Sequence, residues 1–306
     1  MIIYGYYLND FKNYWKKNYL WFRGKSVYIY LLNHAYYFYI KLDYIFMLKV
    51  ALTQLKPVAD KDISIRNIEY YSGIASSNSA DLIVFPEYYM FYSPYKDNII
   101  KNSESLNGNY VKRLKEVSSE NKIGIITGIN ELYDHNYYDT SIFIKNGELD
   151  NYYRKTHLYD AFGYKESDIY TYGNGPFKIS RIGDINFGML ICYDIRFPEI
   201  FRNYSLNDAD MIVLISAWFS GPMKEEQWLS LVSARALENT VYLATSNMVG
   251  GAFTGITTFT DPIGAIINRA TEDEGIVYAM VDPERLATVR KKMPVLRQRR
   301  PELYKL

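Results

Sequence analysis

From Met47 onward the chain alternates short apolar runs of four to seven residues with longer stretches whose apolar side chains recur at helical spacing. Two interleaved periods of this kind mark a mixed α/β domain. The spacing predicts strands over 49–55, 82–85, 123–128, 187–191, 211–216 and 241–246, and amphipathic helices over 63–76, 111–118 and 224–238. Two hairpins are also expected. Residues 141–145 and 148–153 flank Asn146-Gly147, a pair suited to a tight primed turn. Residues 253–260 and 265–268 flank Asp261-Pro262-Ile263-Gly264. The sequence carries no repeat, no low-complexity linker and no glycine-rich phosphate loop. Gly173-Asn174-Gly175 neither follows a strand nor opens a helix, so a nucleotide role for it is not expected. With 306 residues there is chain enough for a large core, and 47–306 reads as one domain.

Composition narrows the function classes. Thirty-five basic residues against 34 acidic ones leave a net charge of +1, without the clustered basic surplus that nucleic acid demands. A single cysteine excludes a disulfide framework and a Cys-rich zinc site. The three histidines, His34, His135 and His157, lie far apart, so a His-based metal site is not expected.

The first 46 residues differ from the rest. They hold 11 of the 32 tyrosines, and Tyr, Ile, Lys, Asn and Phe, all with A+T-rich codons, fill 29 positions. Six basic against two acidic side chains make the segment +4, leaving −3 for residues 47–306. Residues 27–40 are uncharged, but 14 residues fall short of the roughly 20 a membrane-spanning helix needs. Scattered charges and the lack of a small-residue cleavage site argue against a signal peptide. The expectation is a Tyr-rich extension, arising from a misplaced start or poorly ordered, before a domain that begins at Met47. A peripheral or membrane-associated extension is the alternative.

Chemistry concentrates at three strand ends. The only cysteine closes the apolar run Phe187-Gly188-Met189-Leu190-Ile191-Cys192, and polar residues start at once with Tyr193-Asp194-Ile195-Arg196. A lone cysteine in an apolar strand is usually a small core residue. At a strand end, however, the turn presents free backbone N–H groups beside the thiol, which a tetrahedral oxyanion requires. A thiol nucleophile also needs a base and a partner for the developing charge. His157 is the nearest histidine candidate, with no orienting Asn or Asp suggested by sequence. Glu87 ends Asp81-Leu82-Ile83-Val84-Phe85-Pro86-Glu87, where Pro86 interrupts the strand ladder. Lys155 lies just past the second strand of the first hairpin. Taken singly, such carboxylates and lysines are commonly just solvated.

Taken together, the three segments resemble the signature blocks of the nitrilase superfamily of carbon–nitrogen hydrolases: F-P-E at Glu87, R-K-x-H-L at Lys155 and C-Y-D-x-R-F-P-E at Cys192. The likeness continues through Gln227-Trp228, Ala234-Arg235-Ala236-Leu237-Glu238-Asn239, Phe259-Thr260-Asp261-Pro262-Ile263-Gly264 and the tail Arg299-Arg300-Pro301-Glu302-Leu303-Tyr304. It thus spans 47–306 and nothing before. It implies a four-layer α-β-β-α sandwich that pairs as a homodimer or higher homo-oligomer, with no metal and no cofactor; together with the charge and segment length above, a cytoplasmic enzyme without nucleic acid or membrane partners is expected. It also implies Cys192 as nucleophile, Glu87 as general base, and Lys155 with the Tyr193 backbone N–H as oxyanion donors. Lys165-Glu166-Ser167 fits the block of a second active-site glutamate, Glu166. Tyr88, Tyr89, Trp218 and Phe219 follow strand ends and are candidates for the substrate pocket or for core packing. Asp194, Arg196 and Glu199 are expected to form a buried ion-pair network that orients the nucleophile's turn, and Arg235, Glu238 and Asn239 to be structural or interface residues.

The implied activity is hydrolysis of a small carboxylated or peptide-like amide through a thioester, releasing ammonia. The stretch 157–164 and the R-R-P-x-L-Y tail are most similar to deaminated-glutathione amidases, and the loop 156–165 is shorter than in omega-amidases. Nitrile or N-carbamoyl amide hydrolysis is the enzymatic alternative. A catalytically idle binding or assembly module is the alternative of another class, against which three intact blocks speak.

Overall fold

The computed structural model describes residues 26–33, 36–43 and 47–304. The chain divides into two compact units, residues 1–46 and 47–306. Within the first, two antiparallel strands are described, β1 (Ser26–Asn33) and β2 (Tyr36–Asp43). Residues 27–33 and 36–40 of the uncharged run fall on these strands; the rest of the Tyr-rich stretch lies outside the described residues. Among the described residues no helix is long and apolar enough to cross a membrane.

The second unit is built on two six-stranded sheets. The first runs in the order β18 (Gly275–Val281), β3 (Leu48–Gln54), β4 (Leu82–Val84), β5 (Gly124–Tyr133), β6 (Asn136–Lys145) and β7 (Glu148–Arg154). The second runs β10 (Ser180–Ile182), β11 (Ile185–Ile191), β12 (Met211–Ser216), β13 (Tyr242–Asn247), β16 (Thr258–Thr260) and β17 (Ile266–Arg269). Each sheet pairs its strands in the same series: antiparallel, parallel, parallel, antiparallel, antiparallel. The fold is therefore duplicated in topology although the sequence shows no repeat. The parallel strands are buried on both faces, which explains why they read as unbroken apolar runs.

Helices cover the outer faces. On the first sheet lie α1 (Lys61–Ser77) and α3 (Asn109–Asn121); on the second lie α4 (Pro198–Leu206) and α5 (Lys224–Asn239). The inner faces meet through β3 with β13 and β11 with β6 and β7. This is the α-β-β-α sandwich. Local chemistry sets the boundaries. Asp60 caps α1 by accepting from the Ile63 N–H at 2.9 Å, and Asn146 and Gly147 both take positive φ in the primed turn between β6 and β7.

The structure also departs from the expected elements. Two short helices, α2 (Lys96–Asn102) and α6 (Pro283–Lys292), and helix α4 were not signalled. The expected strand over 253–260 is broken. Gly255 and Ile256 have positive φ, so β15 (Phe253–Thr254) pairs with β14 (Val249–Gly250), and only β16 continues the second sheet.

Candidate active site

Strand order brings the three predicted blocks to one rim. Glu87 lies three residues past the end of β4, Cys192 directly after β11, Ala217 directly after β12 and Lys155 directly after β7. Open α/β sheets bind ligands outside the carboxyl ends of their parallel strands. Here Glu87, Lys155, Glu166 and Cys192 line one cleft of about 430 Å³, counting its open mouth.

Lys155 is the hub. Its Nζ lies 2.6 Å from Glu87 Oε1 and 2.8 Å from Glu166 Oε1, donating to both. A third carboxyl, Asp139 Oδ2 on β6, is 3.3 Å away without hydrogen-bond geometry. All four side chains are buried. Burial alone would lower the Lys155 pKa, but Glu166, Glu87 and Asp139 more than offset it and hold the ammonium well above its ordinary value. Glu87, Asp139 and Glu166 offer oxygens close enough together to hold a metal ion. The ammonium of Lys155 occupies the middle of that set.

The three carboxyls are not equivalent. Glu87 Oε2 accepts from the Ala217 N–H at 2.6 Å. Glu166 Oε2 accepts from the Tyr159 N–H at 2.6 Å, and its Oε1 also accepts from the Tyr88 hydroxyl. Neither oxygen of Asp139 accepts a hydrogen bond. Desolvation first, then the charge of Glu87, push Asp139 well above the carboxylate range despite Lys155. Sequence reasoning missed Asp139: it sits inside a strand, flanked by Tyr138 and Thr140, in no block.

Cys192 opens a 3-10 turn, Cys192–Arg196, with φ +42°. That region is uncommon for a residue with a Cβ, and such strain clusters where the surroundings enforce it. Several contacts do so. Asp194 Oδ2 accepts from the Ile191 N–H at 3.0 Å and the Tyr153 hydroxyl at 2.8 Å. Its Oδ1 lies 2.7 Å from His157 Nδ1. Arg235 Nε donates to the Ile195 carbonyl at 2.8 Å, and Nη2 to that of Arg196 at 3.3 Å. Tyr193, second in the turn, holds a position where a 3-10 helix leaves its N–H groups without an internal partner. Burial, then Glu87, raise the Cys192 thiol well above its usual pKa, with Lys155 opposing.

Some expectations need correction. His157 does have an orienting carboxylate, Asp194, but its ring stacks on Phe197 at 3.7 Å and does not line the cleft. Glu199 is exposed and joins no network around the turn; Arg196 bonds to Gln227 instead, at 2.8 Å. Tyr88, Trp218 and Phe219 line the cleft, whereas Tyr89 is core, stacked on Phe85 at 5.6 Å. Tyr92, Tyr159, Tyr164, Lys224 and Phe253 also line it and were missed, because each lies in a loop, at a helix start or in a two-residue strand, β9 (Tyr164–Lys165, paired with β8, Asp160–Ala161) or β15, too short to show a period. Gly173 serves packing: a Cβ there would lie 2.1 Å from the Arg154 carbonyl oxygen, and its N–H donates to the Lys155 carbonyl at 2.8 Å.

Residues 49–291 match the carbon-nitrogen hydrolase family, and the chain belongs to it. Among its relatives are a deaminated glutathione amidase of Escherichia coli O157:H7, 32% identical over 74% of this chain and 87% of the relative, and the mouse omega-amidase NIT2, 30% identical over 84% and 96%. Among solved structures, Saccharomyces cerevisiae Nit3, a nitrilase-superfamily member, superposes with a TM-score of 0.76 at 27% identity, covering 83% of this chain and 97% of Nit3.

Proposed function

We propose that the protein is a cysteine-dependent amidase that hydrolyses a small amide through a thioester and releases ammonia. The observation that carries this reading is the convergence of Glu87, Lys155, Glu166 and Cys192 on one buried cleft in a chain whose relatives include amidases. With its pKa raised, the resting nucleophile is a thiol, so attack requires a base in contact. Glu87 takes the thiol proton as sulfur bonds to the amide carbon. The oxyanion gathers donation from the Tyr193 backbone N–H and from Lys155. Two of the Lys155 protons are engaged by Glu87 and Glu166, and its weak contact with Asp139 leaves the third for substrate. Glu87 then passes its proton to the leaving nitrogen. Ammonia departs, and a water deprotonated by Glu87 cleaves the thioester to the acid and the free thiol. Glu166, fixed by Tyr88 and Tyr159, holds Lys155 in place.

Assembly as a homodimer and a cytoplasmic setting belong to the same proposal; light scattering and cell fractionation check them. The direct test is ammonia release over a panel of amides, N-carbamoyl amino acids and nitriles, with the Cys192→Ala variant as comparison. Turnover of amides lost in the variant is the expected result. Ammonia release that survives the substitution overturns the mechanism.

A further inference from the structure

Of the three carboxyls around Lys155, Asp139 alone takes no part in the proposed chemistry. Oxygens of all three lie within 4.8 Å of one another, around a single ammonium. The strand ladder fixes where Asp139 stands. On one side it pairs with Asn130 of β5, and on the other its carbonyl accepts from the Lys155 N–H at 2.9 Å. With both backbones held, the two side chains meet at 3.3 Å without hydrogen-bond geometry. Glu87 and Glu166, carried on turns, come in to 2.6 and 2.8 Å.

The hydroxyls near Asp139 are spent elsewhere. Tyr88 and Tyr170 face it, but Tyr88 donates to Glu166 and Tyr170 to the Asn130 side-chain oxygen at 2.6 Å. The Glu87 carboxylate also faces it, an acceptor for an acid proton and a poor neighbour for a second anion. A buried carboxylate without donors is costly, and a neutral acid in the same place is not. The consequence falls on Lys155. An ammonium has three N–H donors, and Glu87 and Glu166 engage two of them. A neutral acid accepts weakly and leaves the third. An ionised Asp139, already this close, would take it in a charge-assisted hydrogen bond.

We infer that Asp139 is a positioning residue for the reaction: protonated, it leaves the third Lys155 N–H to the oxyanion, and ionised, it withdraws that N–H. This rests on the amidase reading and adds control by a single proton to it. The groups that face Asp139 set that control. Glu87 after β4 and Glu166 in its 3-10 turn hold the proton on, Lys155 after β7 pulls it off, and Tyr88 and Tyr170 enclose the acid.

The test is a profile of kcat and KM from pH 5 to 10 on an amide the enzyme hydrolyses, for the wild type and Asp139→Asn. In the wild type kcat falls by about 100-fold on the alkaline side, as for loss of one oxyanion donor, while KM holds, because the donor acts on charge that develops only in the transition state. In Asp139→Asn the side chain has no proton to lose and the alkaline fall is absent, whatever the absolute rate. Where the asparagine variant does not fold, Asp139→Ser gives the same readout. A merely structural Asp139 shifts the rate alike at every pH and leaves the fall in place. That result, or a wild type without an alkaline fall in kcat, overturns the inference and leaves the amidase standing. A wild type that hydrolyses no amide removes the amidase reading, and infrared difference spectroscopy then reads the acid without turnover. A protonated-carboxyl band missing from Asp139→Asn keeps the proton on Asp139 and its hold over Lys155; no such band overturns both.

Discussion

Asp139→Asn gives a sharp test of the charge state assigned to the site. Glu87 and Glu166 each accept hydrogen bonds from Lys155 and from the backbone, whereas Asp139 accepts none, lies 3.3 Å from the ammonium, and faces the carboxyls of Glu87 and Glu166. Asp139 is therefore the carboxyl that keeps its proton, in line with its strongly raised pKa. In the unfolded chain it ionises above pH ~3.9. Folding then takes up a proton, so the wild type loses stability as pH rises from that value toward the raised folded one. Asparagine is neutral in both states and lacks this slope. Between pH 5 and 7 the stability of D139N relative to wild type should climb by about 1.4 kcal/mol per pH unit for as long as the folded acid stays protonated. Urea unfolding at pH 5, 6, 7 and 8 reads this directly. A pH-independent loss of about 3–5 kcal/mol would instead mark a broken buried ion pair, and would refute the neutral acid.

Two further outcomes follow from the same geometry. Alkylation of Cys192 by iodoacetamide should keep accelerating beyond pH 9, because burial and Glu87 hold the thiol protonated; a plateau near pH 7 would contradict that reading. A Cβ on Gly128 would lie 2.6 Å from the Tyr88 nitrogen and 2.8 Å from Glu87 Cα. Gly128→Ala should therefore cost about 1–3 kcal/mol in stability and lower kcat by displacing the base, and wild-type kcat and melting temperature would show the contact to be harmless.

What the sequence reveals depends on how local the determinant is. The buried parallel strands were legible because both faces are apolar, and 211–216 is reproduced residue for residue. Helix α4 was not, because its sequence Pro198-Glu199-Ile200-Phe201 reads as the tail of the cysteine block. The strand over 253–260 failed because a left-handed Gly255 leaves no trace in hydrophobic period. Glu87, Lys155 and Cys192 were legible through the resemblance of their blocks taken together, and Glu166 through that of Lys165-Glu166-Ser167. Asp139 and Lys224 were not. One is a polar residue inside a strand and the other a lysine opening a charged helix; Asp139 reaches Lys155, and Lys224 the cleft, only through strand order and loop closure.

The most direct measurement is acid-quenched mass spectrometry of the wild type during turnover of an amide it hydrolyses. The account predicts a fraction of protein heavier by the acyl group, mapped to the peptide containing Cys192 and labile to hydroxylamine. Sustained ammonia release by Cys192→Ala, or a wild-type adduct carried on another residue, would contradict it.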